Sequence, residues 1–185
     1  MKRLAILASY NGSGFSAIYK AILEKELDIE ISLVISNNTN AVVLQKAKEY
    51  TLNNFLVNSK TDENPDEKIY ALLKEHNCEY IFLSGYMKKL SPKITNEFKV
   101  INSHPSLLPK YGGSGMYGRF VHEAVINNRE SESGVTIHEV NEEYDEGKIL
   151  LQKRLSISED ENVETLEAKV KELESIAIVE ALKNV

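Results

Sequence analysis

The sequence carries a single cysteine, Cys78, which excludes an internal disulfide and fits a reducing compartment. It also lacks a basic excess: 22 Lys and Arg stand against 28 Asp and Glu, a formal net charge of −6. A nucleic-acid binder needs a basic face to neutralise phosphates, so that class is not expected, although a local patch for one phosphate stays open. No apolar run is long enough to span a membrane. The run after the basic start Met1-Lys2-Arg3 ends at Tyr10-Asn11-Gly12 and reads as a first strand rather than a signal peptide. The expected location is the cytoplasm. No histidine falls at ligand spacing beside the acidic segment 142–146, so no metal site is expected. Internal repeats, low-complexity tracts and linkers are absent too. The 185 residues are expected to form one domain with a substantial core.

What is present alternates between strand-like and helix-like segments. Leu4 to Ala8 and Ile29 to Ile35 are apolar runs of the kind a doubly covered strand shows. Phe55-Leu56-Val57 and Tyr80-Ile81-Phe82-Leu83 are two more strand candidates. Between them Phe15, Ile18 and Ile22 repeat at helical spacing, Val42 to Glu49 favours helix, and Pro65 opens a helix carrying Ile69, Leu72 and Leu73. This pattern predicts an α/β fold with a mainly parallel sheet and helices on both faces. The back half changes character. Val135 to Val140 reads as a half-exposed strand with Ile149 to Leu155 as its neighbour, an antiparallel addition. A helix is expected around Val121 to Ile126, and an amphipathic one with Val163, Leu166, Val170, Leu173 and Ala177 on one stripe.

The chemistry concentrates after Phe98-Lys99-Val100-Ile101, in Asn102-Ser103-His104-Pro105-Ser106-Leu107-Leu108-Pro109. Alternation along a strand places Asn102 and His104 on one face, and Pro105 ends the strand beside them. In a parallel sheet, ligands bind at the carboxyl ends of the strands. An amide donor beside an imidazole suits an oxygen that becomes negative during reaction. Alone, His104 reads as a strand-end histidine bonded to a backbone carbonyl; with Asn102 on its face, catalysis is the better reading. Asp145 lies between the last two strands, and a carboxylate close to His104 raises an imidazole pKa by about one to three units. Ser9-Tyr10-Asn11-Gly12-Ser13-Gly14 joins the first strand to the first helix. For it a phosphate cradle and a tight turn without ligand stand level. Its dinucleotide-like glycine spacing lacks the expected acid, because the second strand ends in Ser36-Asn37-Asn38. His138 reads as structural, His122 as a surface or packing residue, and Cys78 as inert.

Four segments together resemble the folate-dependent phosphoribosylglycinamide formyltransferases of purine synthesis. They are Asn11-Gly12-Ser13, Leu83 to Pro92, Asn102 to Pro109, and Gly134 through Asp145-Glu146-Gly147, in the family's order and over essentially the whole chain. The resemblance implies a single-domain Rossmann-like formyltransferase fold, with a phosphate-binding front half of about 1–100 and a catalytic and folate-loop back half of about 101–185. It implies transfer of formyl from 10-formyltetrahydrofolate, as co-substrate, to the amine of 5-phosphoribosylglycinamide. Asn102 and His104 would hold the oxyanion, and Asp145 would keep His104 protonated and relay a proton. Asn11, Gly12, Ser13, Gly14, Lys171 and Glu174 would bind the ribonucleotide and its phosphate. Met87, Lys88, Lys89 and Leu90 would line the folate pocket with Asn102, Asn141, Glu142, Glu143, Tyr144 and Asp145. The chain departs from the pattern at Tyr10 and Gly14, where the family commonly has glycine and asparagine, and at Lys88, a frequent arginine. For the glycine-rich segment Gly112 to Gly118, a lid and a surface loop stand level.

The expected partners are small molecules alone, with the chain a monomer or homodimer. Rival readings are a formyltetrahydrofolate hydrolase, a sugar-nucleotide formyltransferase and a non-catalytic nucleotide-binding regulator. A hydrolase is expected to carry an extra amino-terminal domain. A transfer-RNA formyltransferase would add a carboxyl-terminal one, which the net charge of −6 and the end at Val185 argue against.

Overall fold

The computed structural model describes all 185 residues, which form two units, Met1–Ile101 and Asn102–Val185. In the first unit, strands β1 (Lys2–Leu7), β2 (Ile29–Ser36), β3 (Asn54–Leu56) and β4 (Tyr80–Leu83) alternate with helices α1 (Ser13–Leu23), α2 (Val42–Glu49) and α3 (Pro65–Glu75). A short helix, α4 (Pro92–Glu97), then leads into β5 (Lys99–His104), which crosses the unit boundary. The strand order here is β3-β2-β1-β4-β5, and β1 pairs in parallel with both β2 and β4, as β2 does with β3. Leu4 to Leu7 and Leu33 to Ile35 are at most 1% exposed, so these central strands are covered on both faces. That burial is why they read as unbroken apolar runs.

The second unit adds α5 (Arg119–Asn127), β6 (Glu132–Glu139), β7 (Ile149–Ser156) and α6 (Val163–Lys183). Here the order is β5-β6-β7, with β6 and β7 antiparallel, Val135 opposite Lys153 and Ile137 opposite Leu151. Helix α6 starts with a capping box: the Asn162 side chain accepts from the Thr165 amide at 2.9 Å, and Thr165 Oγ1 accepts from the Asn162 amide at 3.1 Å. Its buried side chains include Leu166, Val170, Ala177 and Ile178, and the helix packs against β6. Strand β6 therefore departs from the half-exposed reading. Residues 133–138 are all buried, since the side that the alternation assigned to water is covered by the segment after β5: Thr136 Oγ1 donates to the Ser106 carbonyl and accepts the Leu108 amide. No helix is long and apolar enough to cross a membrane.

Candidate active site

Strand β5 ends at the residues the sequence singles out. Its alternation puts Asn102 and His104 on one face, with His104 only 4% exposed. His104 Nε2 lies 2.7 Å from the Tyr111 carbonyl oxygen, so that nitrogen carries the hydrogen and donates. Nδ1 then faces Asp145 Oδ2 at 3.5 Å. The link between His104 and Asp145, which spacing alone leaves open, is present. Asp145 arrives from the connection between β6 and β7. It sits at φ +59° and accepts the Gly113 amide on Oδ2 at 2.9 Å.

A fourth residue joins this group. His138, near the end of β6 and 1% exposed, places Nε2 3.2 Å from Asn102 Nδ2 and 3.5 Å from Asp145 Oδ1. Its Nδ1 is 2.9 Å from the Glu139 carbonyl, which fixes Nδ1 as the donor and leaves Nε2 to accept from the Asn102 amide when the ring is neutral. The structural role read for His138 from sequence takes a specific form here: the ring orients the Asn102 amide. Only the register of β5 against β6 brings the two together, and no sequence signal marks it.

The electrostatics differ from the sequence expectation in one respect. Burial is the largest influence on His104 and lowers its pKa; Asp145 and the Tyr111 carbonyl push upward, and His138 adds to the lowering. The net position is below the ordinary histidine value, because removing an imidazolium from water costs more than one carboxylate at 3.5 Å returns. Burial pulls Asp145 upward, but His138, His104 and the Gly113 amide outweigh it and hold the carboxyl below its ordinary range. Burial thus disfavours the imidazolium at His104, while its neighbours favour the carboxylate at Asp145.

Gly112 to Gly118 is no detached loop at its start. The Tyr111 carbonyl and the Gly113 amide clasp His104 and Asp145. Tyr111 itself adopts φ +57° and hands its hydroxyl to Glu130 at 2.8 Å. Of the acceptor residues, Glu174 on α6 accepts a hydrogen bond from Ser103, and Lys171 is paired with Glu167 at 2.6 Å. Asn141, Glu142, Glu143 and Tyr144 form an exposed turn in which the Asn141 side chain accepts the Glu143 amide at 2.9 Å. His122 on α5 is buried, not at the surface, and its Nδ1 has no hydrogen-bond partner. A cavity of about 230 Å³ lined by Ser106, Tyr111, Glu130, Ser133 and Arg154 among others contains none of Asn102, His104 and Asp145.

In the first unit, Gly12 caps α1 in the left-handed region at φ +61°. A Cβ there would come within 2.6 Å of Val43 Cγ2, so both the turn and the close approach of α2 require glycine. The first amides of a helix lack intrahelical partners. Phe15 N is taken by Ser84 Oγ at 3.1 Å, which leaves Ser13 and Gly14 at the open end. Lys46, unremarked from sequence, bonds the Asn11 carbonyl at 3.0 Å and Ser16 Oγ at 2.9 Å and brings a cation to this loop. The segment Met87 to Leu90 is tied back to the loop after β1: Ser9 Oγ accepts the Met87 amide at 2.8 Å and donates to Asn37 at 2.6 Å. Met87, Lys88 and Lys89 are exposed there, while Leu90 is buried. Cys78 is buried, and burial pushes its thiol up to about 12, which fits an inert residue.

Residues 2–182 match the formyl transferase family, and the chain belongs to it. Within that family it is 37% identical over 179 residues to the phosphoribosylglycinamide formyltransferase of Haemophilus influenzae, covering 94% of this chain and 82% of that one. The enzyme of the same name from Bacillus subtilis is 33% identical, over 94% and 89% of the two chains. The crystal structure of phosphoribosylglycinamide formyltransferase from Bacillus halodurans superposes with a TM-score of 0.89 at 31% identity, covering 98% of this chain and 93% of that one. A formyltetrahydrofolate deformylase from Pseudomonas syringae shares the fold, with a TM-score of 0.87 at 24% identity, but this chain covers 60% of it.

Proposed function

We propose that the protein transfers the formyl group of 10-formyltetrahydrofolate to the amine of 5-phosphoribosylglycinamide in purine synthesis. The observation that carries this reading is the group Asn102, His104, Asp145 and His138, set within one unit of a formyl transferase. The amine attacks the formyl carbon, and the formyl oxygen takes the negative charge of a tetrahedral intermediate. The bond to N10 of the folate then breaks; the amine gives up one proton and N10 gains one. The Asn102 amide and the His104 ring are the oxyanion donors, and Asp145 is the group that passes the amine's proton onward.

Burial of the His104 ring, which disfavours its charged form, makes these donors selective for the transition state. His104 keeps a hydrogen on Nε2 through the Tyr111 carbonyl, so a second proton, on Nδ1, makes it a cation. Burial opposes that charge. A negative oxygen forming nearby adds to the pull of Asp145 and offsets the burial, so the ring takes up the proton the amine releases through Asp145 as the oxyanion forms, and gives it back for N10 when the bond to the folate breaks. Stabilisation that grows toward the transition state accelerates the chemical step rather than only tightening substrate binding.

For the acceptor's phosphate we propose the open amides of Ser13 and Gly14 with Asn11 and Gly12, on the first unit, which also holds the proposed folate segment Met87, Lys88, Lys89 and Leu90. On the second unit, Lys171 and Glu174 are proposed for the ribonucleotide and Asn141 to Asp145 for the folate. A cytoplasmic setting for this reaction is part of the proposal, in keeping with the single, buried cysteine. Incubation with 10-formyltetrahydrofolate tests the assignment. Folate deformylation is expected only when phosphoribosylglycinamide is present. Deformylation without acceptor would mean a hydrolase, and none under either condition a non-catalytic binder.

A further inference from the structure

The two segments proposed for binding on the first unit leave the sheet from neighbouring strands. Strands β1 and β4 pair side by side, and the chain runs from β1 to β2 on one hand and from β4 to β5 on the other. Strands that part in this way leave a crevice beyond their carboxyl ends. The loop Asn11 to Gly14 follows β1 and the segment Met87 to Leu90 follows β4, so they stand on its two sides. Ser9 joins them and is fully buried. Its hydroxyl gives its one hydrogen to Asn37 Oδ1 at 2.6 Å and turns its lone pairs to the Met87 amide at 2.8 Å. Its main chain is held separately, the amide by the Gly85 carbonyl at 3.1 Å and the carbonyl by Asn38 Nδ2 at 2.7 Å. Alanine would fill the same space and keep those two bonds. What the serine hydroxyl adds is a fixed seat for the first backbone amide of the segment.

We propose that Ser9 is a positioning residue for the folate: its hydroxyl, aimed by Asn37, fixes the Met87 backbone and thereby the run from Met87 to Leu90. The proposal rests on the reading above, in which that run meets the folate and Asn11 to Gly14 meet the acceptor's phosphate. Gly85, at φ +69°, turns the chain out of β4, and Met87, Lys88 and Lys89 are exposed. Side chains that reach into solvent give a segment little packing, so its backbone hydrogen bonds decide where it lies. Tyr10 alone separates Ser9 from the phosphate loop. The same residue therefore places the formyl donor relative to the acceptor's anchor. A misplacement of about 1 Å can cost about a hundredfold in rate, which gives so short a tie a purpose.

The test is a steady-state assay of Ser9→Ala with each substrate varied in turn. Its folate KM is expected to rise about tenfold, the penalty for leaving the Met87 amide without its acceptor. The acceptor KM should stay that of wild type, because the main-chain bonds of Ser9 still hold the phosphate loop. An unchanged folate KM, or equal rises for both substrates, would overturn the proposal. Exchange of the Met87 amide with deuterium, followed by NMR without substrates, should quicken in Ser9→Ala, and exchange at the wild-type rate would refute the tie. If Ser9→Ala does not fold, Asn37→Ala, which frees the hydroxyl to turn away from Met87, replaces it in the same comparisons. Tetrahydrofolate binding, measured by calorimetry without acceptor, separates the two levels of inference. Where wild type binds tetrahydrofolate but transfers no formyl, the assigned reaction fails and Ser9 is judged on this binding. Weaker binding in Ser9→Ala then supports the positioning role, and binding equal to wild type refutes it.

Discussion

At the scale of single residues, the site works through hydrogens assigned by their neighbours. The Tyr111 carbonyl holds one on His104 Nε2, and the Glu139 carbonyl holds one on His138 Nδ1, so His138 Nε2 is left to accept from Asn102. Replacing Asn102 or His104 by Ala removes a proposed oxyanion donor, worth about 2.7–4 kcal/mol of barrier. Each variant is expected to lose at least about a hundredfold in kcat while circular dichroism stays that of the native fold; near-normal turnover in either would remove the assignment. His138→Ala leaves the Asn102 amide unoriented but present. Its kcat should fall less than that of Asn102→Ala while the KM for both substrates holds. A loss as large as that of Asn102→Ala would make His138 a direct participant.

At the scale of elements, some of this was legible in the sequence and some was not. Val42–Glu49 and Tyr80–Leu83 form with the boundaries read from propensity and apolar runs, because local preference and burial agree there. Asn102 and His104 were legible because a strand's two-residue period and a proline stop are local facts. His138, Tyr111 and Lys46 were not, since their roles come from pairings between distant segments. The short helix α4 (Pro92–Glu97) escaped for want of periodicity over so few residues. Gly134 within β6 is a further case: read only as part of a motif, it is where strand and neighbour nearly touch. A Cβ there would lie 2.0 Å from the Lys153 carbonyl oxygen and 2.7 Å from Leu107 Cδ2. Gly134→Ala must push β7 away from β6, and a destabilisation of about 1–3 kcal/mol or more is expected from urea unfolding. Because β6 carries His138 and leads into the Asp145 turn, kcat should fall with it. A variant as stable as wild type would show that the two strands part freely.

For the whole molecule, acid stability has a definite sign. His104 and His122 are both held below the ordinary histidine value, chiefly by burial; around His122, Glu167 pulls upward while Lys171 and His104 push down. In the pH range between that ordinary value, about 6.5, and the lower folded values, the unfolded chain binds more protons than the folded one. Stability is complete above this range and is lost as pH falls through it, by at most about 1.4 kcal/mol per pH unit for each proton. Asp145, held low, acts in the same direction in stronger acid. Glu174, pushed upward by burial, acts oppositely, because there the folded chain keeps the proton. Acidification also relieves the self-repulsion of a chain with net charge −6, which stabilises the fold. A wild-type melting curve alone therefore mixes opposing contributions, and a single-site comparison isolates one. His122 has an unpartnered Nδ1 and lies outside the proposed oxyanion group, so His122→Asn removes one buried titration and leaves the others in place. On going from pH 7 to pH 5 the Tm of this variant should fall less, or rise more, than that of wild type, whatever their offset at pH 7. Parallel curves would mean that His122 accepts its proton in the fold as readily as in the unfolded chain, and that burial does not govern its titration.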